Sequence, residues 1–287
     1  MTAAPRCSDL AVDDARAGTA PPGDRWFLVE HPGPWGRVAF AQSGFGPAAV
    51  TAMDAWAREV GGRVLLIRRA GRATGGLRRW FRVDSRPGHE EVRTGTWTDD
   101  DGLVDALRAP GTVHTGPLFL TCAHGRHDTC CAVRGRPLAA ALAAARPAEA
   151  WECSHVGGCR FAPSLVALPH GFAFGGMSPQ EGVGIAAAYV DGTVDAEFLR
   201  GRSVHPPAVQ AAQHHARLFT GVRGVDALAL RSVTALSSGT WRVVLGDPDV
   251  VVEVRERRVE AGRPLTCSAT APGWMREFDL ISVAASG

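Results

Sequence analysis

The chain reads as a mixed α/β (α+β) protein built from three successive units. Three observations predict this. Apolar runs of four to six residues alternate with stretches of helical spacing over the first two thirds of the chain. Gly/Pro clusters punctuate those runs. Past residue 201, one helical pattern is followed by strand-like runs separated by tight turns. With 287 residues and a 45% apolar fraction, about two domains and a sizeable core are expected.

Residues 1–23 are rich in Ala, Pro and Gly with alternating charges, and they read as a mobile tail without a signal-peptide core. The first unit, 24–113, opens with the short apolar strand Arg25–Glu30, stopped by the turn cluster His31–Gly36. Pro47 to Val60 has helical spacing, with Pro47 suited to a first turn. Val64–Ile67 and Trp80–Val83 read as further strands. The second unit, 114–200, starts with the strand Pro117–Thr121 running into Cys122. A polar loop follows, then a helix at Arg136–Ala145 with Pro137 near its start, and the strand Ala150–Ser154 ending at His155. Gly157-Gly158 gives a flexible loop, Phe161–Leu168 and Phe172–Gly176 a hairpin, and Glu181–Tyr189 a closing helix. That order, β-loop-α-β-loop-β-β-α, is thioredoxin-like, and the first unit carries a distant βαββ echo of it. The third unit, 201–287, has a helix at Pro206–Phe219. Strands at Leu228–Leu236, Trp241–Leu245, Val250–Val254 and Phe278–Val283 then form a small antiparallel meander, with turns at Ser237-Ser238-Gly239 and Gly246–Asp249.

Composition excludes several classes of function. The 31 basic residues are all arginine and stand against 29 acidic ones. The net charge of +2 leaves no electrostatic footprint for nucleic acid or an anionic membrane. Without lysine there is no Schiff base, P-loop lysine or lysine general base. No apolar run is long enough to span a membrane. Gly61-Gly62 and Gly75-Gly76 lack the strand-to-helix context of a dinucleotide fingerprint. The chain is therefore expected to be cytoplasmic, in a reducing compartment.

Seven cysteines stand at 7, 122, 130, 131, 153, 159 and 267. In a reducing compartment, the cluster of five between 122 and 159 reads as metal-binding or redox-active. Cys7, Cys153 and Cys267 read as small buried hydrophobes. Eight residues separate Cys122 from Cys131, and three separate His155 from Cys159. Both pairs fall where a strand gives way to a loop, at the same sheet edge. Such ligands suit either Zn²⁺ or an iron–sulfur cluster, and the wide first spacing favours a two-iron cluster over a tight zinc knuckle. A thiol oxidoreductase is a further reading, weakened by the lack of a C-x-x-C motif at a helix start. His124 and His127 read as exposed loop histidines, Arg126 and Asp128 as a loop-holding ion pair, Trp35 as packing, and His214-His215 as a solvated helix face.

The stretches Cys122-Ala-His-Gly-Arg-His-Asp-Thr-Cys-Cys131, Gly135-Arg136-Pro137, Trp151-Glu-Cys-Ser-His155-Val-Gly-Gly158 and Arg160-Phe161-Ala162 resemble the sucrase/ferredoxin-like family. The likeness extends to Val29–Gly36, Ala208–Ala212 and Pro264–Cys267. It implies a thioredoxin-like ferredoxin domain with a [2Fe-2S] cluster. It implies one-electron transfer between a reductase and an acceptor protein, rather than self-contained catalysis. Fungal members use two cysteines and two histidines, the second pair in an S-H-x-G-G-H pattern. Carried over, Cys122 and Cys131 hold one iron, and His155 and Cys159 the other. Cys159 replaces a histidine, which makes the set Cys3His. Cys131 is preferred to its neighbour Cys130 by match to the family spacing.

Overall fold

A computed structural model describes residues 5–71, 77–237 and 239–285. Gly75-Gly76, Ser238 and the first four residues of the expected tail lie outside that set. The first half runs β1 (Arg25–Glu30), α1 (Pro47–Val60), β2 (Arg63–Arg68), β3 (Arg78–Asp84), β4 (Glu91–Trp97), α2 (Asp100–Ala106) and the short β5 (Thr112–Val113). The second half runs β6 (Leu118–Cys122), α3 (Thr129–Ala145), β7 (Ala150–Cys153), a 3₁₀ turn (Cys159–Phe161), β8 (Ser164–Leu168), β9 (Phe172–Gly175), α4 (Pro179–Val190) and β10 (Leu199–Arg202).

Both halves share one ten-stranded sheet, ordered β10-β9-β8-β6-β7-β2-β1-β3-β4-β5. Each half is a parallel β-α-β pair followed by an antiparallel hairpin. The halves join edge to edge where β2 meets β7 antiparallel, Ile67 opposite Cys153 and Arg68 opposite Glu152. Read from either edge the order is the same, so the βαββ echo in the first unit is a full structural repeat. The boundary at 113/114 thus separates two repeats but not two sheets. The middle strands β1 and β6 are buried along nearly their whole length, as strands covered on both faces must be, and this explains their unbroken apolar runs.

The third unit is α5 (Pro207–Thr220) and the meander β11 (Ala229–Ser237), β12 (Thr240–Gly246), β13 (Val250–Glu260) and β14 (Trp274–Ala285). Ala208, Val209, Ala212 and Ala216 of α5 pack on Val243, Leu245, Val252 and Val254. Among the described residues no helix is long and apolar enough to cross a membrane.

Two expectations need correction. The described part of the supposed tail, residues 5–23, is a packed strap. Cys7, Ala11 and Ala20 are buried, and the Gln210 side chain holds both backbone groups of Ala20. Asp14 pairs with Arg160 at 2.8 Å and also with Arg263. Helix α3 starts seven residues earlier than its Pro137 suggests, because Asp128 caps it: Oδ1 accepts the Cys130 N–H at 2.9 Å. Pro137 instead sits inside the helix, where it forgoes one backbone bond.

Candidate metal centre

Cys122 is the last residue of the central strand β6, and β7 ends at Cys153, directly before Ser154 and His155. The cap at Asp128 places Cys130 and Cys131 in the first turn of α3. Successive helical residues point roughly 100° apart, so the two thiols face different neighbours. Cys131 faces Cys122 and His155, and its Sγ lies 3.9 Å from His155 Nδ1. Cys159 Sγ lies 3.7 Å from the same nitrogen. The donor atoms of Cys122, Cys131 and His155 fall within 4.8 Å of one another, as do those of Asp128, Cys131 and Cys159. The structure therefore brings all four sequence-selected residues into one buried pocket, with His155 its most exposed member. Cys130 turns away towards Cys7 and Cys267, while Cys153 is enclosed in the core.

The sulfurs and the imidazole share protons. Cys122 is held well below the ordinary thiol range, chiefly by the hydrogen bond from Cys131 and then by His155, against its burial. Cys131 is pushed up, by its bonds to Cys122 and to Cys159 and then by burial. Cys159 falls to about 7, through Cys131 first and then His155. Burial alone pulls His155 down, but its bonds to Cys122 and Cys159 outweigh that and raise it to about 9. The pocket thus lowers Cys122 and Cys159 towards the thiolate, the form that holds metal.

The flanking histidines are built into the site, contrary to the reading of them as exposed. His124 is 2% exposed. Its Nε2–H donates to the Gly36 carbonyl at 2.7 Å, and its Nδ1 accepts the His155 N–H at 3.3 Å. The His127 ring stacks on His155 with centroids 3.7 Å apart. Asp128 makes no pair with Arg126. Its oxygens take the Cys130 and Cys267 amides instead. His214 and His215 are half-buried rather than solvated. Trp35 packs as expected, its ring under the Arg68 guanidinium at 4.1 Å and edge-on to His124.

Sequence reasoning missed Arg200. It comes from β10 and is fully enclosed, donating to the Gly157 carbonyl and the Thr19 hydroxyl, each at 3.1 Å. No carboxylate pairs with it among the described residues. Burial lowers it to about 9, helped by Arg160 and Arg63, while Cys159 and Cys122 oppose the shift. Gly157 and Gly158 have φ of +101° and +77°, and a Cβ on Gly158 would collide with the Arg200 guanidinium. The glycines are thus required by backbone conformation and by this cation. Nothing in the local pattern Leu-Arg-Gly-Arg marks Arg200 as a neighbour of residues 40 or more positions away.

A sequence model of the sucrase/ferredoxin-like family matches residues 17–201, well over half of the chain. The chain belongs to that family. The match spans both repeats of the large sheet and ends in β10, so the family region contains the whole pocket and Arg200. No curated protein and no solved structure matches the chain. Within the family region, the Cys/His groups described above are possible metal sites.

Proposed function

We propose that the chain is a one-electron carrier, a [2Fe-2S] protein that passes electrons between a reductase and an acceptor protein in the reducing cytoplasm. Cys122 and Cys131 hold one iron in this reading, and His155 and Cys159 the other. The observation that carries it is the convergence of three buried thiols and one imidazole from the end of β6, the first turn of α3, the segment after β7 and the 3₁₀ turn, in a member of the sucrase/ferredoxin-like family.

The donor set fits the group. Thiolates hold iron–sulfur clusters, and imidazole replaces thiolate on one iron in some of them. A bound cluster would supply reversible uptake of one electron. The chain's own residues do the rest. The N-terminus of α3 presents the positive end of its dipole to the anionic centre. Arg200, which pairs with no carboxylate among the described residues, adds a positive charge behind the glycine loop. His124 fixes the backbone of His155, and His127 covers its ring. His155 lines a surface cleft with Arg37, Ala39 and His127, which is where a partner protein would approach most closely.

The test is anaerobic purification from iron-replete cells. We expect about two irons and two sulfides per chain and a visible spectrum that bleaches with dithionite. Stoichiometric zinc without iron would replace this reading with a structural metal site.

A further inference from the structure

We propose a second thiolate site, built from Cys7, Cys130 and Cys267 with Asp128 as the remaining donor, that binds one Zn²⁺ ion and fastens the N-terminal strap and the β13–β14 loop to the first turn of α3. The three sulfurs come from positions more than 120 residues apart, yet they form a closed triangle. Cys7 Sγ lies 3.5 Å from Cys130 and 3.5 Å from Cys267, and Cys130 lies 3.1 Å from Cys267. Asp128 Oδ1 stands 4.0 Å from Cys7 Sγ. All four donor atoms fall within 4.8 Å of one another.

The geometry decides between three readings. A disulfide needs a sulfur separation of about 2.05 Å, and all three cysteines are free. Cysteines acting only as small hydrophobes pack among apolar side chains. Cys7 and Cys130 also border the apolar core, but their sulfurs face one another, Cys267, a carboxylate and the Ser8 hydroxyl, which donates to Cys130 Sγ at 3.2 Å. A tetrahedral zinc–thiolate site with bonds of about 2.3 Å has sulfurs roughly 3.8 Å apart. To admit the ion, the short Cys130–Cys267 side of the triangle must open by about 0.7 Å and the other two sides by about 0.3 Å.

The surroundings fit as well. Asp128 is already oriented, because its oxygens accept the Cys130 and Cys267 amides at 2.9 and 2.8 Å. Such bonds fix a ligand's direction before the metal arrives. A surface cleft lined by Arg6, Cys7, Thr129, Pro264, Thr266 and Cys267 gives an entry path. Zinc entering displaces the three thiol protons to solvent, and no electron changes hands. Three thiolates with a carboxylate select zinc over magnesium or calcium, which prefer all-oxygen shells. Cys130 is bonded in sequence to Cys131, so the ion steadies the helical turn that also serves the first pocket.

The test first silences that pocket with Cys131→Ala and His155→Ala, which break every three-donor group there, then titrates the full-length chain with Co²⁺ as a spectroscopic probe of the zinc site. We expect one equivalent bound, with thiolate-to-cobalt charge-transfer bands and tetrahedral d–d bands that zinc displaces. Adding Cys7→Ser or Cys267→Ser abolishes both. A parallel measurement guards against misfolding of the silenced chain. Cys267 lies on an exposed loop, and Cys267→Ser in the otherwise unchanged protein is expected to lose one zinc by native mass spectrometry while keeping its iron. Retention of the full zinc count in that variant would overturn the proposal. So would absence of zinc from the unchanged protein, or an intact mass lighter by the two hydrogens of a disulfide.

Discussion

Gly135 offers a direct test of how the fold positions the first pocket. It lies in α3, where the helix crosses the end of β6. A Cβ built there would stand 2.0 Å from the Cys122 carbonyl oxygen, whereas real Cβ atoms essentially never come within 3.0 Å of a neighbour. Gly135→Ala therefore demands a shift of about 1 Å. The obstacle cannot supply it, because β6 is backbone of a central strand, paired to β7 on one side and β8 on the other. The helix must lift instead, and it carries Cys131 away from Cys122. Overpacking of this kind costs about 1–3 kcal/mol, and a rigid obstacle argues for the upper end. Alanine's better helix propensity returns about 1 kcal/mol. The net loss is about 2 kcal/mol, or roughly 4–8 °C in melting temperature. Gly184 of α4 is the control, since a Cβ there meets nothing within 4 Å. Gly184→Ala should gain up to about 1 kcal/mol. Thermal melts of both variants, with iron per chain measured alongside, give the comparison. If Gly135→Ala melts with or above the parent and keeps its iron, the close approach of α3 to Cys122 is not what positions the site.

Two further predictions concern the histidines. His205 is buried with no acidic partner among the described residues, and desolvation, with Arg202 adding to it, lowers it to about 4 from 6.5. Its neutral form stabilises the fold fully above pH 6.5, and that stability is lost progressively as pH falls to about 4, by about 3 kcal/mol. Melting temperatures between pH 7.5 and 4.5 should fall less steeply for His205→Gln, and an unchanged slope would refute the assignment. His155→Cys in the iron-loaded protein adds one negative charge next to the irons, so the reduction potential should fall towards the roughly −400 mV of all-cysteine clusters. A variant potential equal to or above the parent's would remove His155 from the ligand set.

The legible parts of the sequence were those whose physics is local. The order of elements from β6 to α4 followed from apolar runs bounded by Gly and Pro. Strand β4 carries no apolar-run signal, because Glu-Val-Arg-Thr-Gly-Thr-Trp holds few apolar residues and takes its stability from pairing with β3. Strand β10 carries none either. Its arginines are buried only because Thr19, Gly157, His170 and Glu90 receive them from distant segments. Proline's preference for a first turn points to a start of α3 near Pro137, but the aspartate cap two residues before the paired cysteines is the stronger signal. Cys122, His155 and Cys159 could be grouped from sequence because they stand at or just past strand ends on one side of the sheet, whereas Cys131 joined them over Cys130 by its match to the family spacing. The triangle of Cys7, Cys130 and Cys267 could not. Its formation depends on the strap folding back, which in turn depends on the Asp14 pairs and the Gln210 clamp.

The repeat explains why a pocket in the second half needs the first. The loop after β1 is the counterpart of the loop after β6, but it holds no thiol. It carries His31, Trp35, Phe40 and Phe45, which pack over one another and over the first-half core. Antiparallel joining of β2 to β7 turns this loop towards the site. The seam continues past the strands, since Ser154 exchanges two hydrogen bonds with the Leu66 backbone just before His155. Arg68 spans it, pairing with Glu152 at 2.7 Å while lying on Trp35. Gly36 then takes the Nε2 proton of His124, which leaves Nδ1 free to accept the amide of His155. The tautomer of one histidine and the placement of the next are thus set by a carbonyl from the other repeat. The cysteines belong to the second half, and the first half is the wall that orients the imidazole among them.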